Sequence, residues 1–390
     1  MSDPYKPRRA AAAILGRVVR EGAFSNVVLR SGLDDLDPPE AARTRGLVYG
    51  TLRCLKGLDR MIAAGAGRSV DRIEAPILDV LRVAAFEITS SDVPDPVAVS
   101  VGVDLVREIR PQASGMANAV LRRVVEAPAV ELGLELPEWL SHSLARIWDG
   151  EEISAFVAAS SQEAARIGRL RSGEPGQAVP VSGVNSAYEL PPGPVPDNFM
   201  VQDSASIAVV NALGVEPGMR IVDLAAAPGG KTQHLVDIAG SEPFVIGVDS
   251  HQRRVRSAAR RVRDARWIRA DAGRPPLRTA SFDRVLLDAP CSGLGTLRRR
   301  PEILYRVSDE DVRSLHSQQR RMLESALALV TPGGRLIYSV CTVTPEETID
   351  VVDGLGMVAP SGIGDDLGVG RLLAPHTTAT DGMFVSRWDG

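Results

Sequence analysis

Cysteine, lysine and long apolar runs are all scarce in this chain of 390 residues. Its three cysteines are too few for a disulfide framework and are typical of a reducing compartment. No apolar run reaches the length of a transmembrane helix, so we expect a cytoplasmic protein without a membrane partner. The alanine-rich run after Arg8 and Arg9 resembles an export signal. Arg17 and Arg20 interrupt that run, however, and its apolar residues share one face, which predicts an amphipathic helix.

Length and composition predict a globular protein of two or three domains. Hydrophobic residues make up 44% of the chain and charged residues 24%. Residues 4–127 show successive helical patterns, each with one apolar face. From Val201 onward, apolar strands alternate with helices, which predicts a mostly parallel, doubly wound sheet. We therefore predict an all-α domain over 1–130, a connector with a small subdomain over 131–200, and an α/β domain over 201–390.

Positive charge is concentrated locally, although the whole chain has a formal net charge of −4. Residues 251–278 contain ten arginines, and Arg298–Arg300 form a second cluster a few residues after Cys291. Lysine is represented by only three residues, so Lys231 requires an explanation. A run of charge is usually a solvated helix face. The triple arginine next to a candidate active cysteine is harder to explain in that way, because guanidinium groups suit bidentate contacts with phosphate.

Two of the three cysteines follow predicted buried strands. Cys291 follows the strand predicted over 283–287, and Cys341 follows the one over 335–340. Strand ends are where open α/β sheets bind their ligands. A thiolate that adds to carbon 6 of a cytosine lets carbon 5 take a methyl group, and a second group must then help to eliminate the enzyme. The alternative is that both cysteines are core residues, which is our interpretation of Cys54 on its apolar helix face.

Acids at successive predicted strand ends indicate a nucleoside-type cofactor. Asp223 opens a turn of small residues, and Asp249 ends the next strand, where a carboxylate can accept both hydroxyls of a ribose. Asp271 and Asp288 end the third and fourth strands. The turn is not G-x-G-x-x-G, and Ala225 stands where a phosphate loop has its first glycine, so S-adenosylmethionine fits better than a dinucleotide. Each acid alone is commonly a turn residue or a helix cap.

Longer strings in the same regions match a known family. The segment from Val201 resembles the Sun family of RNA cytosine-5 methyltransferases through VQDSAS, DLAAAPGGKT, GVDS, DAPCSGLGTLRRRPE, LHSQQRRMLESAL, VTPGGRLIYSVCTVTPEE and TDGMF. The N-terminal helices, with LVYGTLR, LRVAAFEI and GMANAVLRRV, resemble a NusB-type RNA-binding domain. This fusion is typical of bacterial enzymes that methylate a cytosine of 16S ribosomal RNA. The resemblance therefore implies a NusB-like all-α domain followed by a Rossmann-like S-adenosylmethionine-dependent methyltransferase domain. We expect it to act as a monomer on 16S ribosomal RNA.

The resemblance also implies roles for individual residues. Cys341 would be the nucleophile, and Cys291 would assist product release. Asp288 would contact the cytosine ring edge near N3, and Lys231 would orient Asp288 or the cytosine. The cofactor would be bound by the small-residue loop, by Asp249 at the ribose, by Asp271 near the adenine and by Asp288; the loop comprises Ala225, Ala226, Ala227, Pro228, Gly229, Gly230 and Lys231. No metal ligands are predicted.

Some positions depart from the family pattern. Thr348 replaces the usual asparagine, and the segment between Cys341 and TDGMF is short and glycine-rich, which predicts abbreviated last strands.

Three alternative functions remain open. A tRNA cytosine-5 methyltransferase would share the catalytic motifs. A methyltransferase of another amine or base would favour an N/D-P-P-Y turn, but here the turn is Asp288-Ala-Pro-Cys. A non-catalytic NusB-like RNA-binding protein would not need the intact acids and cysteines.

Overall fold

The computed structural model describes residues 3–128 and 132–390 and divides the chain into two compact units. The helical unit comprises Met1–Leu136 and Leu297–Arg306, and the sheet unit comprises Pro137–Thr296 and Val307–Gly390. The predicted boundary between residues 130 and 131 lies outside the described residues. In the part of the chain that is described, no helix is long and apolar enough to cross a membrane.

Helices that share a single apolar core build the helical unit, which confirms the predicted all-α fold. In the described residues they are α1 (Lys6–Val19), α2 (Ser25–Gly32), α3 (Pro38–Arg53), α4 (Leu55–Ala66), α5 (Ala75–Ser90), α6 (Asp95–Ile109) and α7 (Ser114–Glu126). The predicted amphipathic helix after the paired arginines is α1, which buries Leu15 and Val18. Cys54 is buried in this core, as predicted.

Residues 297–306 follow the Cys291 loop in the chain but belong to the helical unit. Glu302 is buried there and accepts hydrogen bonds from the Ser25 amide at 3.0 Å and the Ser25 hydroxyl at 2.9 Å. Ser25 is the first residue of α2, whose own N-cap residue supplies no side-chain hydrogen bond. A carboxylate from a remote segment therefore caps this helix. Tyr305 adds a hydrogen bond from its hydroxyl to the Leu52 carbonyl at 3.0 Å.

The predicted phosphate-binding cluster lies in this same segment. Arg298, Arg299 and Arg300 are half-buried, and each already interacts with another group of the protein. Arg53, for example, donates a hydrogen bond to the Arg298 carbonyl at 2.9 Å. Phosphate binding by these arginines stays a prediction.

The sheet unit begins with α8 (Glu138–Leu144), α9 (Gly150–Ser160) and a small antiparallel sheet. The strands of this sheet are β1 (Ile167–Leu170), β2 (Val179–Pro180), β3 (Ala187–Glu189) and β4 (Phe199–Val201), in the spatial order β2-β3-β1-β4. Helix α10 (Ser204–Leu213) leads into the main sheet.

The main sheet has eight strands among the described residues, and its parallel half confirms the predicted doubly wound fold. That half alternates β5 (Arg220–Leu224), α11 (Gly230–Ile238), β6 (Phe244–Asp249), α12 (Gln252–Arg261), β7 (Arg266–Arg269), β8 (Phe282–Asp288), α13 (Asp309–Leu327) and β9 (Val330–Val340). The chain ends with α14 (Ile349–Val352), β10 (Asp365–Asp366), β11 (Arg371–Leu373), α15 (Pro375–Thr378) and β12 (Met383–Asp389). The spatial order is β10-β11-β12-β9-β8-β5-β6-β7.

The central strands are apolar along most of their length because both faces of the sheet are covered. Val285, Leu286 and Leu287 of β8 are fully buried, and so are Leu336 and Ile337 of β9. The antiparallel edge is abbreviated only in part. Strands β10 and β11 have two and three residues, but β12 has seven and pairs along β9.

Candidate active site

The carboxyl ends of the parallel strands bring the main predicted residues to one edge of the sheet. Strand β8 ends at Asp288, three residues before Cys291, and β9 ends immediately before Cys341. Strand β5 leads into the small-residue loop, and β6 ends at Asp249. The strand order reverses between β5 and β8. Such a reversal is where open α/β sheets form a ligand-binding crevice.

The two cysteine side chains meet at this edge. Their sulfur atoms lie 3.2 Å apart, because β8 and β9 are neighbours in register, with Asp288 opposite Ser339. The hydrogen bond with Cys341, together with burial, raises the pKa of Cys291 well above that of an ordinary thiol. One of the two sulfurs is therefore held as a neutral thiol while the other can carry the charge.

A lysine–aspartate pair lies beside the thiols. Lys231 Nζ contacts Asp288 Oδ2 at 2.8 Å, and the Ser339 hydroxyl donates to Asp288 Oδ1 at 2.9 Å. Burial alone would lower the pKa of Lys231, but the Asp288 carboxylate outweighs it and, with a smaller contribution from Cys341, raises that pKa. The ammonium group therefore stays charged next to both the carboxylate and the Cys341 sulfur. Both carboxylate oxygens of Asp288 are oriented by these contacts.

The small-residue loop turns sharply at the end of β5. Ala225 has a φ of 61°, in the left-handed region that non-glycine residues seldom occupy. Gly229 precedes α11 with a φ of 97°, which L side chains rarely adopt, and a Cβ there would make a tight contact of 3.2 Å with Val262 Cγ2. The first amides of α11 lack a side-chain cap and are oriented toward the loop.

Two buried acids flank this loop. Asp249 accepts hydrogen bonds from the amides of His251 at 2.9 Å and Ala227 at 3.3 Å, and it pairs with Arg254 at 3.4 Å. Asp223 accepts a hydrogen bond from Thr232 at 2.6 Å. Its other oxygen, Oδ1, is buried and has no hydrogen-bond partner among the described residues. Burial raises the pKa of Asp223 to about 7. The sequence pattern predicts Asp223 at the start of the turn and indicates no binding role for it.

Asp271 is placed differently from the other predicted acids. It follows β7 at the edge of the sheet and is exposed. Its carboxylate accepts from the Gly273 amide at 2.8 Å and pairs with Arg321 at 3.2 Å. These partners belong neither to the thiol pair nor to the Lys231–Asp288 pair.

A buried carboxyl without a predicted role joins the two cysteine loops. Glu347 is fully buried, and its carboxyl accepts from donors on three segments. These donors are the Ser292 amide at 2.8 Å, the Ser292 hydroxyl at 2.5 Å, Gln319 Nε2 at 3.0 Å, the Thr342 hydroxyl at 3.2 Å and the Thr344 hydroxyl at 3.0 Å. Residues 292 and 342 each directly follow one of the cysteines, so one carboxyl fixes both.

Two protein families match parts of this chain. The model of the family described as 16S rRNA methyltransferase RsmB/F matches residues 210–389, and that of the NusB family matches residues 5–126. The ribosomal RNA small subunit methyltransferase B of Thermus thermophilus is 33% identical over 370 residues, which cover 89% of this chain and 86% of that protein. The chain belongs to the RsmB/F methyltransferase family. The family and the NusB-like domain inferred from the sequence are thereby confirmed.

Two solved structures share the fold of this chain. PH0851 aligns with a TM-score of 0.81 at 22% identity, covering 100% of both chains. NSun6 from Pyrococcus horikoshii, solved with SFG, aligns with a TM-score of 0.56 at 16% identity and covers 65% of this chain and 98% of its own. At these identities the likeness shows a shared fold.

The family strings of this RsmB/F-family chain meet through close backbone contacts. The Gly382 amide donates to the Gly295 carbonyl at 2.7 Å, and a Cβ on Gly295 would lie 2.1 Å from the Gly382 carbonyl oxygen. The Gly295 amide in turn donates to the Cys341 carbonyl at 3.1 Å. DAPCSGLGT, SVCT and TDGMF are therefore three parts of one site. The second glutamate of TPEE, which is Glu347, was the signal that could have revealed the buried carboxyl.

Proposed function

We propose that this chain transfers the methyl group of S-adenosylmethionine to carbon 5 of a cytosine in 16S ribosomal RNA, through a covalent adduct with Cys341. The observation that carries the proposal is the pair of thiols 3.2 Å apart at the ends of β8 and β9, with Lys231 and Asp288 beside them. Methylation at carbon 5 requires one group that adds to carbon 6 and another that helps to remove it. Methyl transfer to a nitrogen would need neither thiol.

The cofactor residues fit S-adenosylmethionine. Asp223 Oδ1 is a buried oxygen without a protein partner, and Asp249 is a buried carboxylate on the neighbouring strand. The loop from Ala225 to Lys231 would hold the methionine part, Asp249 the ribose hydroxyls, and Asp271 the region of the adenine, with Asp288 on the side of the target base. The cofactor supplies an electrophilic methyl group. NSun6, which shares the fold, was solved with the cofactor analogue SFG, and this supports the assignment.

The electrostatics of the site support the division of roles between the thiols. The Lys231 ammonium favours a thiolate on Cys341, because a neighbouring positive charge stabilises the anion. That thiolate forms a bond to carbon 6, and the electron pair displaced to carbon 5 takes the methyl group. Asp288 contacts the ring edge near N3 and supports the charge that develops there.

Release of the enzyme requires a base for the proton on carbon 5. The hydrogen bond that the Cys291 thiol donates to Cys341 is the largest cause of the raised pKa of Cys291. Once the Cys341 sulfur is bonded to carbon 6 it no longer carries a charge, so the largest cause of the raised Cys291 pKa is removed. The Cys291 thiol then gives its proton to water and acts as the thiolate base. Removal of the carbon 5 proton then breaks the bond between Cys341 and carbon 6 and restores the aromatic ring.

The substrate assignment rests on the family and on the helical unit. The Thermus thermophilus relative is named for the small-subunit ribosomal RNA, and the helical unit matches the NusB family. The target cytosine must leave its stack to reach a thiolate at a strand end, so we expect an opened helix or loop as substrate. Aromatic residues are only 4% of the chain, and phosphate contacts are therefore expected to outweigh base stacking.

The test compares two variants of the full chain on 16S ribosomal RNA. Cys341→Ala should abolish methylation without trapping RNA, since no adduct can form. Cys291→Ala should add to the base, accept the methyl group and then stall as a protein–RNA adduct that survives a denaturing gel. Cys54→Ala is the matched control, because this thiol is buried in the helical core, and it should methylate normally. An adduct in Cys341→Ala alone would reverse the roles. Full activity in both site variants, measured by bisulfite sequencing, would refute the mechanism.

A further inference from the structure

Helix α12 and strand β7 carry a dense and unneutralised positive surface. Residues 251–269 contain eight arginines and one acid, whereas the whole chain has a net charge of −4. Five of these arginines are exposed and form no ion pair, hydrogen bond or ring contact with any residue that the structure describes. We name them the arginine face: Arg253, Arg256, Arg260, Arg261 and Arg263.

Only part of the arginine face is unfavourable for α12, since Arg260 and Arg261 lie in its last turn, where positive charge suits the helix dipole. Arg256 and Arg260 are four residues apart, where like charges destabilise a helix. Arg253 lies in the first turn, which contains no acid and has no side-chain cap, so its charge opposes the helix dipole. The opposite face of α12 packs inward as in other surface helices, with Ala258 buried. The outer face therefore needs a reason beyond folding.

Another helix of the same unit shows how this chain neutralises exposed arginines. On α13, Arg313 pairs with Asp309 at 2.7 Å and Arg320 pairs with Glu324 at 3.1 Å, both one helical turn apart. Helix α12 contains no acid at all. The contrast indicates that the charge on α12 is neutralised by something outside the chain.

We infer that the arginine face binds phosphate groups of the substrate RNA away from the target nucleotide; this inference rests on the proposed function. Five unpaired guanidinium groups match a polyanion, and guanidinium binds phosphate in a bidentate manner. No large exposed hydrophobic residue lies among residues 251–269. A protein partner would normally contact apolar and aromatic residues at the centre of its interface, so RNA fits better than an acidic protein.

The position of the face gives the contact a role. Arg254 extends from the first turn of α12, donates to the Ala227 carbonyl and pairs with Asp249. The arginine face therefore begins beside the small-residue loop and continues toward β7, the edge strand of the sheet. RNA held there would be anchored on the cofactor side, in addition to any contact made by the helical unit.

The test measures binding of the full chain to protein-free 16S ribosomal RNA over a series of salt concentrations. Arg256→Gln/Arg260→Gln removes two charges from the arginine face. The matched control, Arg171→Gln/Arg313→Gln, removes two arginines of the same unit that are exposed but paired with Asp237 and Asp309. Each lost phosphate contact reduces the slope of log affinity against log salt by about 0.7 on single-stranded and about 0.9 on double-stranded nucleic acid, so the face variant should lose about 1.4–1.8. Its affinity near 0.1 M salt should fall on the order of 10- to 100-fold. The control should bind like the wild type.

Two further measurements make the result decisive. The face variant should melt close to the wild type, because relief of the like-charge repulsion offsets the loss of the Arg260 charge at the C-terminal end of α12. Arg256→Lys/Arg260→Lys should retain most of the affinity. Equal affinity and salt slope in the face variant and the wild type would overturn the inference and leave the proposed methylation intact. If the face variant binds RNA like the wild type but no longer binds polyglutamate, a probe for acidic proteins, the arginine face would be assigned to an acidic protein partner instead. A wild type that does not bind the RNA would overturn the proposed function itself.

Discussion

Replacing Glu347 tests whether one buried carboxyl positions both cysteine loops. In Glu347→Ala the hydroxyls can turn to one another, since the Ser292 and Thr342 oxygens already lie 2.9 Å apart. The Ser292 amide and one Gln319 N–H keep no such substitute and lose their acceptor. Each buried unsatisfied donor costs roughly 1–3 kcal/mol, so the variant should lose about 2–6 kcal/mol of unfolding free energy. That is a large part of the roughly 5–15 kcal/mol that stabilises a domain.

Glu347→Gln separates position from charge. The side-chain carbonyl of the glutamine can still accept hydrogen bonds from the Ser292 amide and Gln319, and its NH2 group can donate to the hydroxyl oxygens. The variant should therefore lose only about 1 kcal/mol of unfolding free energy. We therefore expect it to retain most methylation, whereas Glu347→Ala should form the RNA adduct slowly even at temperatures where it is folded. The adduct rate is best measured in the Cys291→Ala background, and stability by denaturant unfolding.

Glu346→Ala is the control for this pair of variants. Its side chain accepts from the Ser143 hydroxyl at 2.6 Å and from Arg146 at 3.3 Å, and neither of these described partners lies in a cysteine loop. A Glu347→Ala chain that unfolds and methylates like the wild type would refute the reasoning. A Glu347→Gln chain as inactive as the alanine variant would show that the charge matters and the geometry does not.

Three further predictions address the cofactor, the pH dependence and the helical unit. Asp249→Ala should weaken S-adenosylmethionine binding by roughly 1.5–3 kcal/mol, about 10- to 150-fold, and unchanged affinity in calorimetry would remove the ribose assignment. Burial raises the pKa of Asp223 to about 7. The protonated carboxyl therefore adds up to about 4 kcal/mol to the free energy of unfolding at low pH, and this stabilisation is lost as pH rises from about 4 to about 7. In Asp223→Asn the free energy of unfolding should depend less on pH over that range. The same pH dependence in the variant and the wild type would contradict the raised pKa of Asp223. Glu302→Ala should lose roughly 1–3 kcal/mol because the Ser25 amide loses its acceptor, and Glu302→Gln should lose less, as thermal unfolding would reveal.

The sequence by itself determined the parts of this protein that depend on local pattern. Alternating apolar strands and helices after Val201 predicted the parallel sheet, because strand and helix periods are properties of neighbouring residues. The topology rule for such sheets then predicted that the loops after two strands, with Cys291 and Cys341, would meet at one edge. The family strings pointed to the same residues, and the family itself is confirmed.

The tertiary structure alone decided which remote residues contact one another. Glu347 and Ser292 are 55 positions apart, and Glu302 and Ser25 are 277 positions apart, so no periodic pattern connects them. Each pair forms because a buried carboxyl needs donors, and only the packed chain determines which donors are within reach. The assignment of residues 297–306 to the helical unit has the same origin. Deleting residues 1–127 would leave this segment without the helices that it packs against, so the helical unit is better tested by point substitutions.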